Sequence, residues 1–225
     1  MTSNSNQNKE TALLIGGSKG MALDSAHRLA RRGVDLILVA RDKEALEKAA
    51  REIEGESGVT VETRTVDLYE QQAVSALAEQ IEADPRHIKY LVNAAGYFKP
   101  APFLDHTTED YLTYMDINEA LFFISQAAAK NMKRHGGGSI VHIGSMWANQ
   151  AIKATPSSAY SMAKAGLHAL TQHMAMELAE HGIRVNAVSP AVVLTTIYKA
   201  FIEPDQIAET LSGFDGFHPI GRIGQ

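Results

Sequence analysis

Short apolar runs alternate with helix-like segments along almost the whole 225-residue chain. The six runs, each rich in Val, Ile or Leu and bounded by Gly, Asn, Ser or Pro, lie at 11–17, 35–40, 59–66, 88–96, 138–145 and 183–190. Helical spacing occurs between them, at 21–33, 43–55 and 70–83, in two stretches of 107–135, and at 157–181. Runs that are apolar throughout are typical of strands buried on both sides. The alternation therefore predicts an α/β fold in a single domain, a doubly wound parallel sheet with helices on both faces.

Composition excludes several kinds of chemistry. The chain has no cysteine, which rules out disulfides, thiolate catalysis and cysteine-ligated zinc, and its nine histidines show no metal-binding spacing, so we expect no metal site. A formal net charge of −5 gives no reason to bind nucleic acid or an anionic membrane. No apolar run approaches the roughly 18 residues of a membrane-spanning helix. Residues 1–10, MTSNSNQNKE, lack the apolar core of a signal peptide and are interpreted as a disordered tail, so we expect a cytoplasmic protein.

A glycine-rich turn follows the first apolar run. Its sequence, GGSKGMA at 16–22, places Gly16, Gly17 and Gly20 where a strand gives way to a helix. Glycines there allow a tight turn and the close approach of a pyrophosphate, and the helix start offers free N–H groups and the positive end of its dipole. In a βαβ unit, this turn predicts a dinucleotide site at the carboxyl ends of the strands.

The end of the second apolar run bears on which dinucleotide binds. A site that prefers NAD usually has an acidic residue there for the ribose 2′-hydroxyl, whereas this chain has Ala40 and then Arg41. Arg41, with Lys19 from the glycine turn, could pair with a 2′-phosphate, which favours NADP(H) over NAD(H). Asp42 is the main argument against this assignment, although it is placed to cap the next helix. Asp67, after the third run, could accept from the adenine amino group or cap a helix.

Tyr160 and Lys164 are four residues apart in AYSMAKAG, on the helix predicted at 157–181. Residues at i and i+4 share a helix face, so the ammonium would lie near the phenol. The positive charge favours the phenolate and so lowers a pKa that starts near ~10. A tyrosine tuned in this way could exchange a proton with a substrate oxygen. Taken alone, Tyr-x-x-x-Lys is short and frequent, and a pair of surface residues is the simpler interpretation.

Six motifs in order make the chain resemble the classical short-chain dehydrogenases/reductases, from about Thr11 to Gln225. They are the glycine motif at 15–22, Asn93-Ala94-Ala95-Gly96, Asn118 in a helix, Ser145 after the fifth run, the Tyr160 and Lys164 pair, and Pro190 to Thr195. The resemblance implies a Rossmann-like fold and hydride transfer between NADP(H) and a carbonyl or alcohol substrate. Ile15, Ala22, Ala94 and Ala191 stand where the family pattern usually has other residues.

The family pattern implies a role for each matching residue. Tyr160 would be the general acid/base, Lys164 would tune it and hold the nicotinamide ribose, and Ser145 would bind the substrate oxygen. Asn118 would hold a water that relays protons. The implied catalytic residues are therefore Asn118, Ser145, Tyr160 and Lys164, and the implied substrate contacts are Ser145, Trp147 and Tyr160. The implied cofactor contacts are Gly16, Ser18, Lys19, Gly20, Met21, Arg41, Asp67, Leu68, Asn93, Ala94, Gly96, Tyr160, Lys164, Pro190, Val193 and Thr195.

The resemblance also bears on domain organisation and assembly. Residues 195–218 have a helical pattern with Pro204 and two late glycines, and we expect them to form a lid over the substrate. The final segment, HPIGRIGQ, suggests that the domain at 11–225 lacks the C-terminal strand usual in the family. Family members are commonly homodimers or homotetramers that pack through the helices around 107–135 and 157–181. Tyr97, Phe98, Met146 and Trp147 could line an apolar substrate pocket, although buried aromatic residues often belong to the core.

Three functions remain open at this point. The first is an NADP(H)-dependent carbonyl reductase or alcohol dehydrogenase. The second is a 3-oxoacyl-thioester reductase acting on acyl-carrier-protein substrates, although no basic docking patch is obvious. The third is a dinucleotide-binding sensor or scaffold without turnover, which the changed glycines suggest and the four implied catalytic residues argue against. The sequence does not specify the substrate, the physiological direction or the oligomeric state.

Overall fold

The strands form one six-stranded parallel sheet in the order β3-β2-β1-β4-β5-β6. The computed structural model describes residues 9–153 and 155–225. The strands are β1 (Thr11–Ile15), β2 (Asp35–Ala40), β3 (Val61–Thr65), β4 (Ile88–Asn93), β5 (Gly138–Ile143) and β6 (Ile183–Val188). Each strand coincides with one of the six apolar runs, so the prediction of a doubly wound, Rossmann-like sheet is confirmed.

Helices follow the strands and cover both faces of the sheet. They are α1 (Gly20–Ala30), α2 (Lys43–Ser57), α3 (Gln71–Ala83), α4 (Thr108–Arg134), α5 (Ser158–Leu178) and α6 (Ile207–Ser212). Short 3₁₀ turns lie at Phe103–Asp105, Met146–Ala148, Ala179–His181, Thr196–Ala200 and Asp215–Phe217. Successive strand residues point to opposite faces, so Leu14 packs with α1 and α2 while Leu13 and Ile15 pack with α3 and α4.

Two predicted helix boundaries differ from the observed ones. The expectation of two helical stretches at 107–135 is wrong, because α4 is one continuous helix of 27 residues. Its sequence contains no glycine or proline, so nothing interrupts the helix before it ends near Gly136, where φ is 89°. The second difference is that α2 continues past Gly55 to Ser57. Gly58 follows it with φ 66°, the left-handed conformation that commonly ends a helix.

The two ends of the domain differ in how they meet the sheet. Residues 1–8 of the expected tail lie outside the described residues, and the next two, Lys9 and Glu10, form ion pairs with Asp35 and Lys89. At the other end, β6 is an edge strand, and the described residues that follow it contribute only an isolated bridge between Val193 and Gly224. No helix in the described part of the chain is long and apolar enough to cross a membrane.

The topology creates a crevice at the carboxyl ends of the strands. β1 lies between β2 and β4, so the chain runs outward in one direction from β1 and then returns to extend the sheet in the other. In open parallel sheets, ligands bind where the strand order reverses in this way. The glycine turn after β1 and the loops after β4, β5 and β6 all meet at this edge.

Candidate active site

Two adjoining cavities occupy the crevice. The outer cleft, of about 310 Å³, lies over the glycine turn and the ends of β2 and β3. The inner pocket, of about 250 Å³, lies between the loops after β4, β5 and β6 and the segment 195–218. Both cavities are lined by Met21, Ala94, Gly96, Tyr97, Thr195 and Ile197. A single elongated ligand can therefore extend from one cavity into the other.

The glycine turn forms the floor of the outer cleft. Gly16 has φ 86°, and a Cβ atom there would lie 2.9 Å from the backbone N of Ala95. Gly20 begins α1 with φ 54°, and a Cβ atom there would lie 3.6 Å from the side chain of Thr195. Lys19 is the N-cap residue of α1 but its side chain makes no cap hydrogen bond, which leaves the first N–H groups of the helix available to a ligand. Only glycine satisfies both the backbone conformation and the close contact at Gly16.

Lys19 and Arg41 both line the outer cleft, and each lies next to a carboxylate. Lys19 Nζ lies 3.3 Å from Asp42 Oδ2, and Arg41 Nη1 lies 3.8 Å from Asp67 Oδ2. The Arg41 guanidinium also lies 5.6 Å from the ring centroid of Tyr69. All four charged side chains are exposed, so these ion pairs are weak and a phosphate could exchange with the carboxylates.

The two aspartates differ from each other in local structure. Asp42 Oδ1 accepts a 3.0 Å hydrogen bond from Ala45 N and caps α2, which confirms the predicted cap. That N–H group and then Lys19 lower the pKa of Asp42. Asp67 Oδ1 accepts from Tyr69 N at 3.1 Å, forming a turn rather than a cap, since α3 begins after Glu70. Asp67 and Leu68 both line the outer cleft.

Tyr160 lies in the first turn of α5 and faces the inner pocket. Phe98 packs edge-on against its ring with 4.8 Å between centroids, and Tyr114 does so at 5.8 Å. Burial raises the pKa of Tyr160 to about 12, nearby Tyr198 and Tyr114 add to the effect, and a hydrogen bond with Ser145 opposes it. The phenol is therefore held in one orientation and stays protonated at neutral pH.

Lys164 lines the same pocket one helical turn further along α5. Its Nζ donates a 2.7 Å hydrogen bond to the carbonyl oxygen of Ile143 at the end of β5, and lies 5.8 Å from the ring centroid of Tyr160. Burial lowers the pKa of Lys164 to about 8. The spacing argument predicted that the ammonium would lower the pKa of Tyr160. In this structure that prediction fails, because desolvation of the phenol is the dominant influence.

Ser145 and Asn118 are positioned by hydrogen bonds to the backbone. Ser145 lines the inner pocket, and its Oγ accepts from Trp147 N at 3.2 Å, so the serine also caps the 3₁₀ turn Met146–Ala148. Asn118 on α4 donates from Nδ2 to the carbonyl oxygen of Ala163 on α5 at 2.8 Å. Asn118 does not line either cavity and instead joins α4 to α5 behind the pocket.

Asn93 at the end of β4 is buried beneath the crevice rather than exposed in it. It is 1% exposed, and its Nδ2 atom lies 2.8 Å from Ser125 Oγ and 3.1 Å from His142 Nδ1. Burial, with a contribution from Lys164, lowers the pKa of His142 to about 4, so the ring is neutral near pH 7. Asn93 Oδ1 and His142 Nε2 have no hydrogen-bond partner within the described residues.

The remaining implied residues lie at one or both cavities. The outer cleft is lined by Gly16, Ser18, Lys19, Gly20, Met21, Arg41, Asp67, Leu68, Ala94, Gly96 and Thr195. The inner pocket adds Ser145, Trp147, Tyr160, Lys164, Pro190 and Val193. Of the aromatic and sulfur side chains considered for the substrate pocket, Tyr97, Phe98 and Trp147 line it and Met146 does not. Asn93 and Asn118 are the implied site residues that lie outside both cavities.

Sequence motifs singled out only Thr195 among the residues that 195–218 contributes to the inner pocket. These are Thr195, which was expected as a cofactor contact, and Ile197, Tyr198, Phe201, Ile202, Thr210, Leu211 and Phe214. The Tyr198 hydroxyl is hydrogen-bonded to the backbone of Val193. The signal in the sequence was the density of aromatic and aliphatic residues in a segment expected to cover the substrate.

The family model for short chain dehydrogenases matches residues 10–206, and the chain belongs to this family. Gluconate 5-dehydrogenase of Gluconobacter oxydans is 33% identical over 216 residues, covering 95% of this chain and 82% of that protein. A short-chain dehydrogenase from Sphingobium yanoikuyae, solved in complex with NADPH, is 34% identical with a TM-score of 0.80, covering 96% of this chain and 86% of that one. L-sorbose reductase from Gluconobacter frateurii, complexed with NADPH and L-sorbose, is 26% identical with a TM-score of 0.86. The match covers 96% of this chain and 85% of that one.

Proposed function

We propose that this short-chain dehydrogenase catalyses reversible hydride transfer between NADP(H) and a carbonyl or alcohol substrate. The single observation that carries the proposal is that the two cavities adjoin each other and share lining residues. Tyr160, Lys164 and Ser145 line the inner pocket, and that pocket shares six lining residues with the cleft over the glycine turn. A dinucleotide whose phosphates lie at the turn could then place its reactive ring beside the tyrosine.

The residues of the outer cleft fit NADP(H). The close approach of Ala95 to Gly16 and the uncapped start of α1 suit a pyrophosphate. Lys19 and Arg41 would hold a 2′-phosphate, since both are exposed at the cleft and neither is held by a buried carboxylate. Two relatives of solved structure carry NADPH, which supports the same choice for this chain. NADPH would supply a hydride, with both of its electrons, to the carbonyl carbon and leave as NADP⁺.

Side chains of the protein would bind the carbonyl oxygen of the substrate and protonate it. The Ser145 hydroxyl would donate a hydrogen bond to the carbonyl oxygen and stabilise charge that develops there. The Tyr160 hydroxyl would donate its proton to that oxygen, so that the carbonyl becomes an alcohol, and would recover a proton from solvent. Lys164, cationic below a pKa of about 8, would stabilise the transient phenolate. In the oxidation direction the same groups act in reverse.

The proposal also includes the predicted lid and the predicted self-association of the protein. Residues 195–218 would act as a lid, because they supply one wall of the inner pocket while Thr195 also reaches the outer cleft. Self-association into a homodimer or homotetramer would use α4 and α5, where Phe122, Phe123 and Met176 are exposed. The cytoplasmic location stays a prediction.

A substrate panel with both cofactors tests the proposed function. We expect consumption of NADPH with at least one class of ketone or aldehyde, or formation of NADPH from an alcohol, and slower reaction with the NAD forms. The panel includes an acetoacetyl thioester, because preferential turnover of that compound would identify a 3-oxoacyl-thioester reductase instead. Tight binding of NADPH with no turnover across the panel would contradict the proposal and favour a dinucleotide sensor or scaffold.

A further inference from the structure

Aromatic and aliphatic side chains line the inner pocket next to the Tyr160 ring. Phe98 contacts the Tyr160 ring, and Phe201 packs edge-on against Phe98 with 5.7 Å between ring centroids. Tyr198 packs against Phe201 at 6.0 Å. Phe98 comes from the loop after β4 and the other two from the segment 195–218, so two separate parts of the chain build one apolar wall.

The polar groups of the pocket leave little for a substrate beyond one oxygen. Lys164 is the only charged side chain that lines it within the described residues, and its Nζ already donates to Ile143 O. The Tyr198 hydroxyl is hydrogen-bonded to the Val193 backbone. Ser145 and Tyr160 would serve the carbonyl oxygen, and Thr155 and Thr210 are the further hydroxyls outside the part shared with the outer cleft. Among the described residues that line the pocket there is no Asp, Glu, Asn, Gln, Arg or His, so it lacks the bidentate cation that a carboxylate prefers and the carboxylate and amide acceptors that a polyol needs.

The size of the pocket limits the substrate further. Its volume of about 250 Å³ lies below the range of roughly 300–1,000 Å³ found for pockets that hold drug-sized ligands. In the proposed function a nicotinamide ring would share this space, since Met21, Ala94 and Thr195 border both cavities. The part of the inner pocket that the nicotinamide ring would leave free accommodates a compact group rather than an extended acyl chain.

We propose that the inner pocket selects small, uncharged, apolar ketones and aldehydes, with an aryl or short alkyl group on the carbonyl, and discriminates against polyhydroxy ketones and oxo acids. This inference rests on the proposed function and adds the substrate class to it. It also separates this chain from the Gluconobacter frateurii enzyme, whose structure contains L-sorbose. The wall formed by Phe98, Tyr198 and Phe201 is the specificity determinant.

The test compares kcat/KM at saturating NADPH for three ketones. Acetophenone is the apolar ketone, and benzoylformate is its matched analogue with a carboxylate in place of the methyl group. L-sorbose is the polyhydroxy ketone. A site that leaves polar groups unpaired rejects a substrate by large factors, so we expect kcat/KM for acetophenone to exceed the other two values at least about 100-fold. Equal or higher values for L-sorbose or benzoylformate would overturn the substrate class while leaving the proposed function in place.

A binding measurement keeps the inference testable even if nothing turns over. Trp147 is the only tryptophan in the chain and lines the inner pocket, so its fluorescence reports on occupancy. With NADP⁺ present, we expect 1-phenylethanol to change this fluorescence saturably and galactitol not to do so over the same concentrations. Saturable binding of galactitol alone would overturn the inference, and a failure of turnover with every compound would count separately against the proposed function.

Variants of Phe201 test whether the wall formed by Phe98, Tyr198 and Phe201 determines the substrate selectivity. Phe201 is 37% exposed, so Phe201→Ala removes one face of the pocket without emptying the core. We expect kcat/KM for acetophenone to fall about 10-fold or more, with acetone changing much less and Phe201→Leu recovering part of the loss. The matched control is Phe103→Ala, since Phe103 is 73% exposed and lies outside both cavities. An unchanged preference in Phe201→Ala would contradict the assignment of selectivity to the wall.

Discussion

Burial acts in opposite directions on the two ionisable side chains at the heart of the inner pocket. It raises the pKa of Tyr160 to about 12 and lowers that of Lys164 to about 8. Because burial disfavours the charged form, it favours the neutral phenol and the neutral amine. Below about pH 8 the pair therefore consists of a protonated hydroxyl and an ammonium, the state required to donate a proton to a substrate oxygen.

These pKa values predict how reduction depends on pH. Lys164 is cationic below its pKa of about 8 and loses its charge above it, whereas Tyr160 remains protonated across the same range. We expect kcat/KM for NADPH, measured with saturating ketone, to be level below pH 8 and to decline above it, since kcat/KM reports groups of the free enzyme. A profile that stays level to pH 10 would show that the charge of Lys164 is not required.

In the proposed function, the choice of cofactor depends most directly on Arg41. Arg41→Asp replaces a cation beside the proposed 2′-phosphate with an anion, and hydrogen bonds to charged groups contribute about 1.5–3 kcal/mol. We expect the ratio of kcat/KM for NADPH to that for NADH to fall by roughly 10- to 100-fold.

Arg51→Asp is the matched control for this charge reversal. Arg51 lies on the exposed face of α2 and outside the outer cleft, so the same change of net charge should leave the cofactor ratio nearly constant. Equal effects of the two variants would show that the field of the whole protein, rather than contact by Arg41, determines the preference.

At the scale of single elements, α4 illustrates how a helix start is specified. Asp110 N donates to Thr107 Oγ1 at 3.1 Å, and Thr107 N donates to Asp110 Oδ2 at 2.9 Å, which together form a capping box. We expect Thr107→Ala to lower the free energy of unfolding by about 1 kcal/mol, measured by urea denaturation. Thr108→Ala, one residue along, should change it by less than about 0.5 kcal/mol, and equal losses would refute the role of the cap.

The elements could be predicted from the sequence because each has a local cause. The six strands follow from apolar runs, and Asp42 was expected to cap α2. The prediction of two helical stretches in 107–135 was wrong, since this segment contains no glycine or proline and forms one continuous helix.

The sequence predicted which residues line the candidate site where a motif fixes the backbone conformation. It predicted this less well where the orientation of a side chain decides whether the residue lines a cavity. The glycine turn and the spacing from Tyr160 to Lys164 led to residues that line the cavities. Asn93 and Asn118 carry equally clear motifs, yet both side chains turn towards buried partners. Such choices depend on tertiary neighbours such as Ser125 and Ala163, which are distant in sequence.

For the whole molecule, the exposed apolar surface of α4 and α5 supports the proposed self-association. Phe122 and Phe123 are 44% and 46% exposed, and a cavity of about 540 Å³ lined by Phe122 lies between the two helices. We expect Phe122→Asp to raise the dissociation constant of the oligomer about 10-fold or more in sedimentation experiments. Phe103→Asp, on another surface, should have no such effect, and a wild-type protein that is monomeric at high concentration would contradict the proposal.

The most direct test of the account compares turnover and NADPH affinity in Tyr160→Phe. The substitution removes one hydroxyl and keeps the ring that packs against Phe98 and Tyr114. General acid catalysis contributes about 10²- to 10⁴-fold, so we predict a fall in kcat of that size together with an NADPH dissociation constant within about threefold of wild type. If Tyr160→Phe turns over substrate at close to the wild-type rate, Tyr160 is not the proton donor and the proposed mechanism is contradicted.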